Sequence, residues 1–152
     1  MNLFLFVQPL AGWRQVTVTA QPTNQDFAQQ MHTLVEVYCP AAEVIRLVMD
    51  NLNTHTPAAL YETFAPAEAR RLTRKLEIHY TPKHGSWLNL AESEFAVLRA
   101  QCLKRRSADL TMLRQEIAAW QEKRNRHKAK INWSFNTTNA RVKLHRLYPS
   151  LP

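Results

Sequence analysis

The stretch Val44-Ile45-Arg46-Leu47-Val48-Met49-Asp50-Asn51 decides the fold class of this 152-residue chain. It is a short apolar run rich in β-branched residues, which is typical of a buried strand in a mainly parallel sheet. The run ends on an acid, Asp50. Because α/β folds place their ligands at the carboxyl ends of such strands, Asp50 is a candidate site residue.

A second stretch, residues 81–92 (TPKHGSWLNLAE), predicts a polar loop that leads into a helix and places Glu92 near the helix start. The helix dipole favours an ionised carboxylate there, and hard cations such as Mg²⁺ prefer carboxylate oxygens. Asp50 and Glu92 could therefore share a metal site. The residues alone leave the plainer alternative open, in which both acids are ordinary loop or capping residues. Glu94 is expected to be a solvated helix residue.

The flanking segments predict a single α/β domain, since the length fits one domain with its own core. Strands are expected at 3–7 and 13–19, which form a hairpin, at 76–80 and, as a short one, at 131–135. A capping box formed by Thr23 and Asp26 starts the first helix. The helices are predicted at residues 23–38, 57–64, 66–75, 88–102, 108–124 and 138–147.

The net charge of +8 favours a polyanionic partner, with nucleic acid first, although a merely soluble basic protein would carry the same charge. Basic residues concentrate in the second half of the chain. The candidate nucleic-acid contacts are Lys83, His84, Lys104, Arg105, Arg106, Arg124, Arg126, Lys128 and Lys130.

The sequence indicates a cytoplasmic protein without a membrane segment. Its longest apolar run, Leu3 to Val7, is far too short to span a bilayer, and the N-terminus lacks the pattern of a signal peptide. Cys39 and Cys102 are isolated in the sequence and are predicted to be reduced core cysteines.

Residues 48–55 (VMDNLNTH) and 78–92 (IHYTPKHGSWLNLAE) together resemble the catalytic half of bacterial insertion-sequence transposases of the mariner superfamily. That family is marked by Asp-Asn-x-x-x-His at a strand end and by Pro-x-x-x-x-x-Leu-Asn-x-x-Glu in a loop and helix. The resemblance covers essentially the whole chain. It implies a DDE-type endonuclease domain over residues 1–152, with a ribonuclease-H-like fold whose mixed five-stranded sheet is flanked by helices.

The same resemblance implies DNA transposition with two Mg²⁺ or Mn²⁺ ions, double-stranded DNA as transposon ends and target, and a dimeric intact enzyme. Asp50 would match the family's second catalytic acid and Glu92 its third, both as metal ligands. Asn51, His55 and Asn89 would support these acids from a second layer. For His55 a surface position remains the alternative.

This sequence departs from the family's pattern in its first catalytic residue. The family's first catalytic Asp lies on the first strand of the sheet, upstream of the hairpin, and neither Asp26 nor Asp109 can stand in for it. We expect a partial, N-terminally truncated member that lacks the family's first strand and the helix-turn-helix region, with two unpaired strand edges, marginal stability and little activity alone. Whether the chain is an enzyme therefore stays open. The alternatives are a non-catalytic DNA-binding remnant or regulator, and another two-metal nuclease of ribonuclease-H-like fold.

Overall fold

The computed structural model describes residues 2–20, 22–50, 55–82, 85, 88–103, 109–143 and 145. This part of the chain contains both strands and helices, which confirms the mixed α/β class. In chain order the elements are β1 (Asn2–Gln8), β2 (Trp13–Thr19), α1 (Asn24–Thr33) with a π-helical continuation (Leu34–Tyr38), β3 (Ile45–Met49), α2 (Ala58–Thr63), α3 (Pro66–Lys75), β4 (Leu76–Tyr80), α4 (Leu90–Gln101), α5 (Leu110–Arg126) and α6 (Thr137–Lys143).

The described strands form two separate two-stranded sheets. β1 and β2 make the predicted antiparallel hairpin, with Phe4 opposite Thr17. β3 and β4 pair in parallel, with Leu47 opposite Ile78. Within the described residues β1 and β3 therefore each have one strand partner, in accord with the expectation of two unpaired edges.

The strand alternation divides the apolar side chains between two cores. On one face of the sheets, Phe4 and Phe6 of β1 and Ile45 and Leu47 of β3 pack against α1, α2 and α3. The capping box of Thr23 and Asp26 starts α1 as predicted. This first core therefore spans both sheets and holds them side by side.

The second core lies on the opposite face and covers the hairpin. There Leu5 and Val16 pack with Leu98 of α4 and Ile117 of α5. Both helices contact the hairpin strands, so the same face of β3 is not covered, and Val48 is 55% exposed. The prediction of a strand buried on both faces is therefore wrong for β3, which buries only one.

The segment 131–135, predicted as a short strand, is irregular and lies between α5 and α6. The outer edge of β2 is occupied by side chains of α5: Asn125 Oδ1 accepts from Arg14 N at 2.8 Å, and Gln121 Oε1 accepts from Val16 N at 2.6 Å. The free cysteines Cys39 and Cys102 are half-buried. None of the helices in the described ranges combines the length and the apolar composition that a membrane span requires.

Candidate active site

Asp50 directly follows β3 and is held by the residue that follows β4. The backbone N–H of Thr81 donates to the carbonyl of Met49 at 3.0 Å, which continues the parallel ladder by one step. The buried Thr81 hydroxyl then donates to Asp50 Oδ1, also at 3.0 Å. No described residue donates a hydrogen bond to Oδ2. Thr81 thus fixes Oδ1 of the Asp50 carboxylate. Oδ2 is the oxygen that a cation could bind.

His55 is half-buried and packs against aromatic residues of the first core. Its ring stacks on Phe27 with centroids 4.9 Å apart and lies 5.8 Å from the ring of Phe4. Burial lowers the pKa of His55, and the nearby Asp50 carboxylate raises it in part. The neutral imidazole is therefore favoured, within electrostatic reach of Asp50. Its supporting role stays a prediction.

Glu92 lies in the first turn of α4, where its side chain is exposed. Asn89 is the N-cap of that helix, because its Oδ1 accepts from the backbone N–H of Ala91 at 3.1 Å. The backbone N–H of Glu92 donates to the Asn89 carbonyl at 3.0 Å. Asn89 therefore fixes the start of α4, and with it the position of Glu92 on the first turn.

The described residues contain no group of three or more His, Cys, Asp and Glu side chains that could hold a metal ion. The other two aspartates belong to helix starts: Asp26 is the third residue of the capping box whose N-cap is Thr23, and Asp109 is the N-cap of α5 and accepts from Thr111 N at 3.1 Å. Asp50 and Glu92 remain the acids that the sequence motifs select. That they share one metal site stays a prediction.

The expectation that Glu94 is solvated is wrong, because this residue is only 1% exposed. Its Oε1 lies 2.8 Å from Nε of Arg14 on β2 and 2.7 Å from Nε of Arg124 on α5. Burial lowers the pKa of the Arg14 guanidinium, while the Glu94 carboxylate opposes that shift. Glu94 thus ties α4 to both the hairpin and α5.

Helical spacing could have located Glu94 in the core. It follows Ala91 by three residues and precedes Leu98 by four, so it belongs to the apolar stripe of α4. Its charge favoured a solvated position, and its two arginine partners are distant in sequence. The contacts of both arginines with the Glu94 carboxylate depend on the tertiary fold, so local sequence patterns could not predict them.

The candidate DNA-contacting residues fall into three groups. Arg124 is engaged with Glu94 and lies over the Trp120 ring, 5.4 Å from its centroid. Arg126 is exposed and pairs with Glu122, while Lys128 and Lys130 are exposed. The remaining candidates lie outside the described residues: Lys83, His84, Lys104, Arg105 and Arg106. Asn51, a candidate supporting residue of the metal site, also lies outside them.

The basic segment after α5 is held by a helix-ending motif. Lys128 N donates to Asn125 O at 3.0 Å and Ala129 N to Arg124 O at 3.1 Å, which is the pattern of a Schellman motif. Lys128 occupies the left-handed position, with φ 46°, where glycine is usual. Gly12 of the hairpin turn, at φ 69°, lies so close that a Cβ there would meet the Lys128 carbonyl carbon at 2.4 Å. The hairpin turn thus fixes where this segment runs.

Residues 1–114 match the family model described as DDE superfamily endonuclease. The match covers most of the chain and includes all four strands, Asp50 and Glu92. No curated protein and no solved structure matches the chain. The mixed α/β architecture is consistent with the ribonuclease-H-like fold of such endonucleases. The chain therefore belongs to the DDE superfamily endonucleases.

Proposed function

We propose that this chain is the catalytic part of an insertion-sequence transposase of mariner type, which cleaves and joins DNA phosphodiester bonds. The superfamily supports a transposase- or nuclease-like function with DNA as substrate. The observation that carries the proposal is the position of the two motif acids within the matched segment. Asp50 follows a strand and is oriented by Thr81, while Glu92 lies at the capped start of a helix.

The two carboxylates suit Mg²⁺ or Mn²⁺, because these hard cations take oxygen ligands. Endonucleases of the superfamily generally use divalent metals. When bound, two such ions supply an activated attacking oxygen and a stabilised leaving oxygen. The chain's own residues position the ligands: Thr81 orients the Asp50 carboxylate, and Asn89 fixes the start of α4. His55 stacks on Phe27 within electrostatic reach of Asp50, and burial lowers the pKa of its imidazole.

Two acids do not readily bridge and flank two metal ions. We propose that a further carboxylate joins Asp50 and Glu92 from outside residues 1–152, and that this stretch alone has little cleavage or strand-transfer activity. With supercoiled DNA and Mg²⁺, the purified chain should give no nicking above that of its Asp50→Asn variant. Asp50-dependent nicking by a monomer that unfolds cooperatively would contradict this part of the proposal.

Double-stranded DNA is the proposed partner, as transposon ends and as target, with a dimer as the intact enzyme. The exposed basic residues Arg126, Lys128 and Lys130 would contact phosphates, which positions DNA without reading its sequence. Losing one such contact should weaken binding to all sequences alike and flatten its salt dependence.

The proposed function is tested by excision of the element in cells, with the gene expressed together with its native upstream DNA. Asp50→Asn and Glu92→Gln should each abolish excision. The matched control Glu116→Gln removes an exposed carboxylate of α5 and should leave excision unchanged. Excision that survives both motif substitutions would overturn the assignment. A wild-type gene that binds DNA but never excises would instead support the non-catalytic DNA-binding role.

A further inference from the structure

The positive charge of the chain is concentrated after Glu122, in the last turn of α5 and the residues beyond it. The residues up to Glu122 hold twelve Lys and Arg side chains and twelve Asp and Glu side chains, so their formal charges cancel. The thirty residues after Glu122 hold eight Lys and Arg and no acid, so they carry the whole net charge of +8. A polyanion is therefore the chemically matched partner of this part of the chain.

We call residues 126–143 the basic arm. The arm lies outside residues 1–114, which match the superfamily model, so that match assigns it no role. Its helix α6 has seven residues, and none of them is buried. Helices shorter than about 12–15 residues are marginal in water unless tertiary packing stabilises them. α6 therefore presents its side chains, including Val142 at 70% exposure, to solvent rather than to a core.

The start of the basic arm is anchored to the hairpin. The buried Arg14 guanidinium donates through Nη2 to the Ala129 carbonyl, and Ile131 N donates to the Pro9 carbonyl at 3.4 Å. These two contacts fix the stretch that leads to Trp133, so the position of that residue is set before any partner binds.

Trp133 is 39% exposed, although it is one of the largest apolar side chains of the chain. Its ring contacts the ring of Phe135 edge-on, with centroids 5.8 Å apart and planes inclined at 72°. Nζ of Lys143 on α6 lies 6.0 Å from the centroid of the Phe135 ring. Phe135 therefore supports the indole and holds an ammonium group of α6 close to it. Lys130, three residues before Trp133, and Arg141 on α6 are both exposed.

An exposed indole with cations around it suits an unpaired nucleic-acid base. Such a base stacks on the aromatic ring, while the cations contact the phosphates on either side. A paired base inside a duplex is already stacked on both faces, so a duplex offers this ring no free base face. The arrangement therefore favours a single strand over a duplex.

We infer that the basic arm binds single-stranded DNA, with Trp133 stacked on one unpaired base and with Lys130 and Arg141 on the neighbouring phosphates. The inference takes DNA as the polyanion from the proposed function and adds that part of this DNA is unpaired. It does not depend on metal ligation by Asp50 and Glu92. Because the arm is anchored before binding, little conformational freedom is lost when the base stacks.

The test measures binding of the whole chain to two fluorescein-labelled DNAs by fluorescence anisotropy at one salt concentration. One is a thymidine oligonucleotide of about 16 nucleotides, which is long enough for a single-strand site, and the other is a mixed-sequence duplex of the same length. Trp133→Ala should raise the Kd for the single strand about tenfold and leave the Kd for the duplex within about twofold. Lys130→Ala should instead weaken binding to both, because a phosphate contact does not require an unpaired base.

Two variants separate stacking from a change in the fold. Trp133→Phe keeps an aromatic ring and should retain most of the single-strand affinity. Val142→Ala removes an exposed apolar side chain from the same arm and should change neither Kd.

In Trp133→Ala, equal losses for the single strand and the duplex, or no loss in either, would overturn the inference and leave the proposed duplex contacts intact. A chain that binds neither DNA would overturn the inference together with the proposed DNA contacts. The excision assay tests the metal-dependent function separately, so the two failures are distinguishable.

Discussion

Glu92 and Glu94 lie two residues apart on α4, and their surroundings are opposite. Residues at this spacing do not share a helix face, so Glu92 is exposed while Glu94 lies between Arg14 and Arg124. The motif marks Glu92 as the acid for chemistry. The packing assigns Glu94 to holding α4 in place, which in turn determines where Glu92 lies.

Glu94→Gln should lower the free energy of unfolding by about 3 kcal/mol or more, because removing one partner leaves buried guanidinium charge uncompensated. Urea denaturation measures the loss. The matched control is Glu92→Gln, an exposed change in the same helix that should stay within about 0.5 kcal/mol of wild type. Equal effects of the two substitutions would show that Glu94 does not hold the helix.

The pH dependence of stability should contain a contribution from His55. Burial lowers its pKa in the folded state, so below the ordinary value near 6.5 the unfolded chain binds the proton more readily. Stability should therefore fall as the pH drops through about 6.5 and further down to the folded-state pKa. His55→Phe keeps a ring beside Phe27 and should remove this part of the slope in urea midpoints measured from pH 8 to pH 5. An unchanged slope would contradict the buried neutral state.

At the scale of elements, local pattern was sufficient for most helices and strands. The hairpin, β4 and the capped start of α1 follow from alternation and from the Thr23–Asp26 box. Two predictions made from the pattern were wrong because they depend on tertiary contacts. The apolar residues of 131–135 suggested a strand, but amides of α5 already cover the hairpin edge, and β3 is exposed on one face because α4 and α5 pack against the hairpin.

Lys128→Gly should separate the structural and DNA-binding contributions of the end of α5. Glycine adopts the left-handed conformation freely, so the unfolding free energy should rise by about 1 kcal/mol. Loss of a phosphate contact should reduce the salt slope of DNA binding by about 0.9. Lys130→Gly is the control. It should change the salt slope of DNA binding by a similar amount and should not raise the unfolding free energy. A salt slope unchanged in both variants would remove this segment from the proposed DNA surface.

At the scale of the whole molecule, the sequence motifs were enough to indicate the superfamily, and the match over residues 1–114 confirms it. The tip of β3 and the start of α4 could both be located from the sequence. The Thr81 contact to Asp50 and the packing of His55 depend on neighbours brought together by the fold. The division into two sheets follows from strand pairing across the molecule, which periodicity alone does not specify.

The proposed function requires that Asp50 and Glu92 hold the same divalent ions. The most direct test is paramagnetic broadening of backbone NMR signals by Mn²⁺, added at low stoichiometry to the whole chain. We expect signals near Asp50, including Thr81, and signals near Glu92, including Asn89, to broaden together. Asp50→Asn or Glu92→Gln should abolish both effects. Broadening at only one of the two acids, or broadening that survives both substitutions, would contradict it.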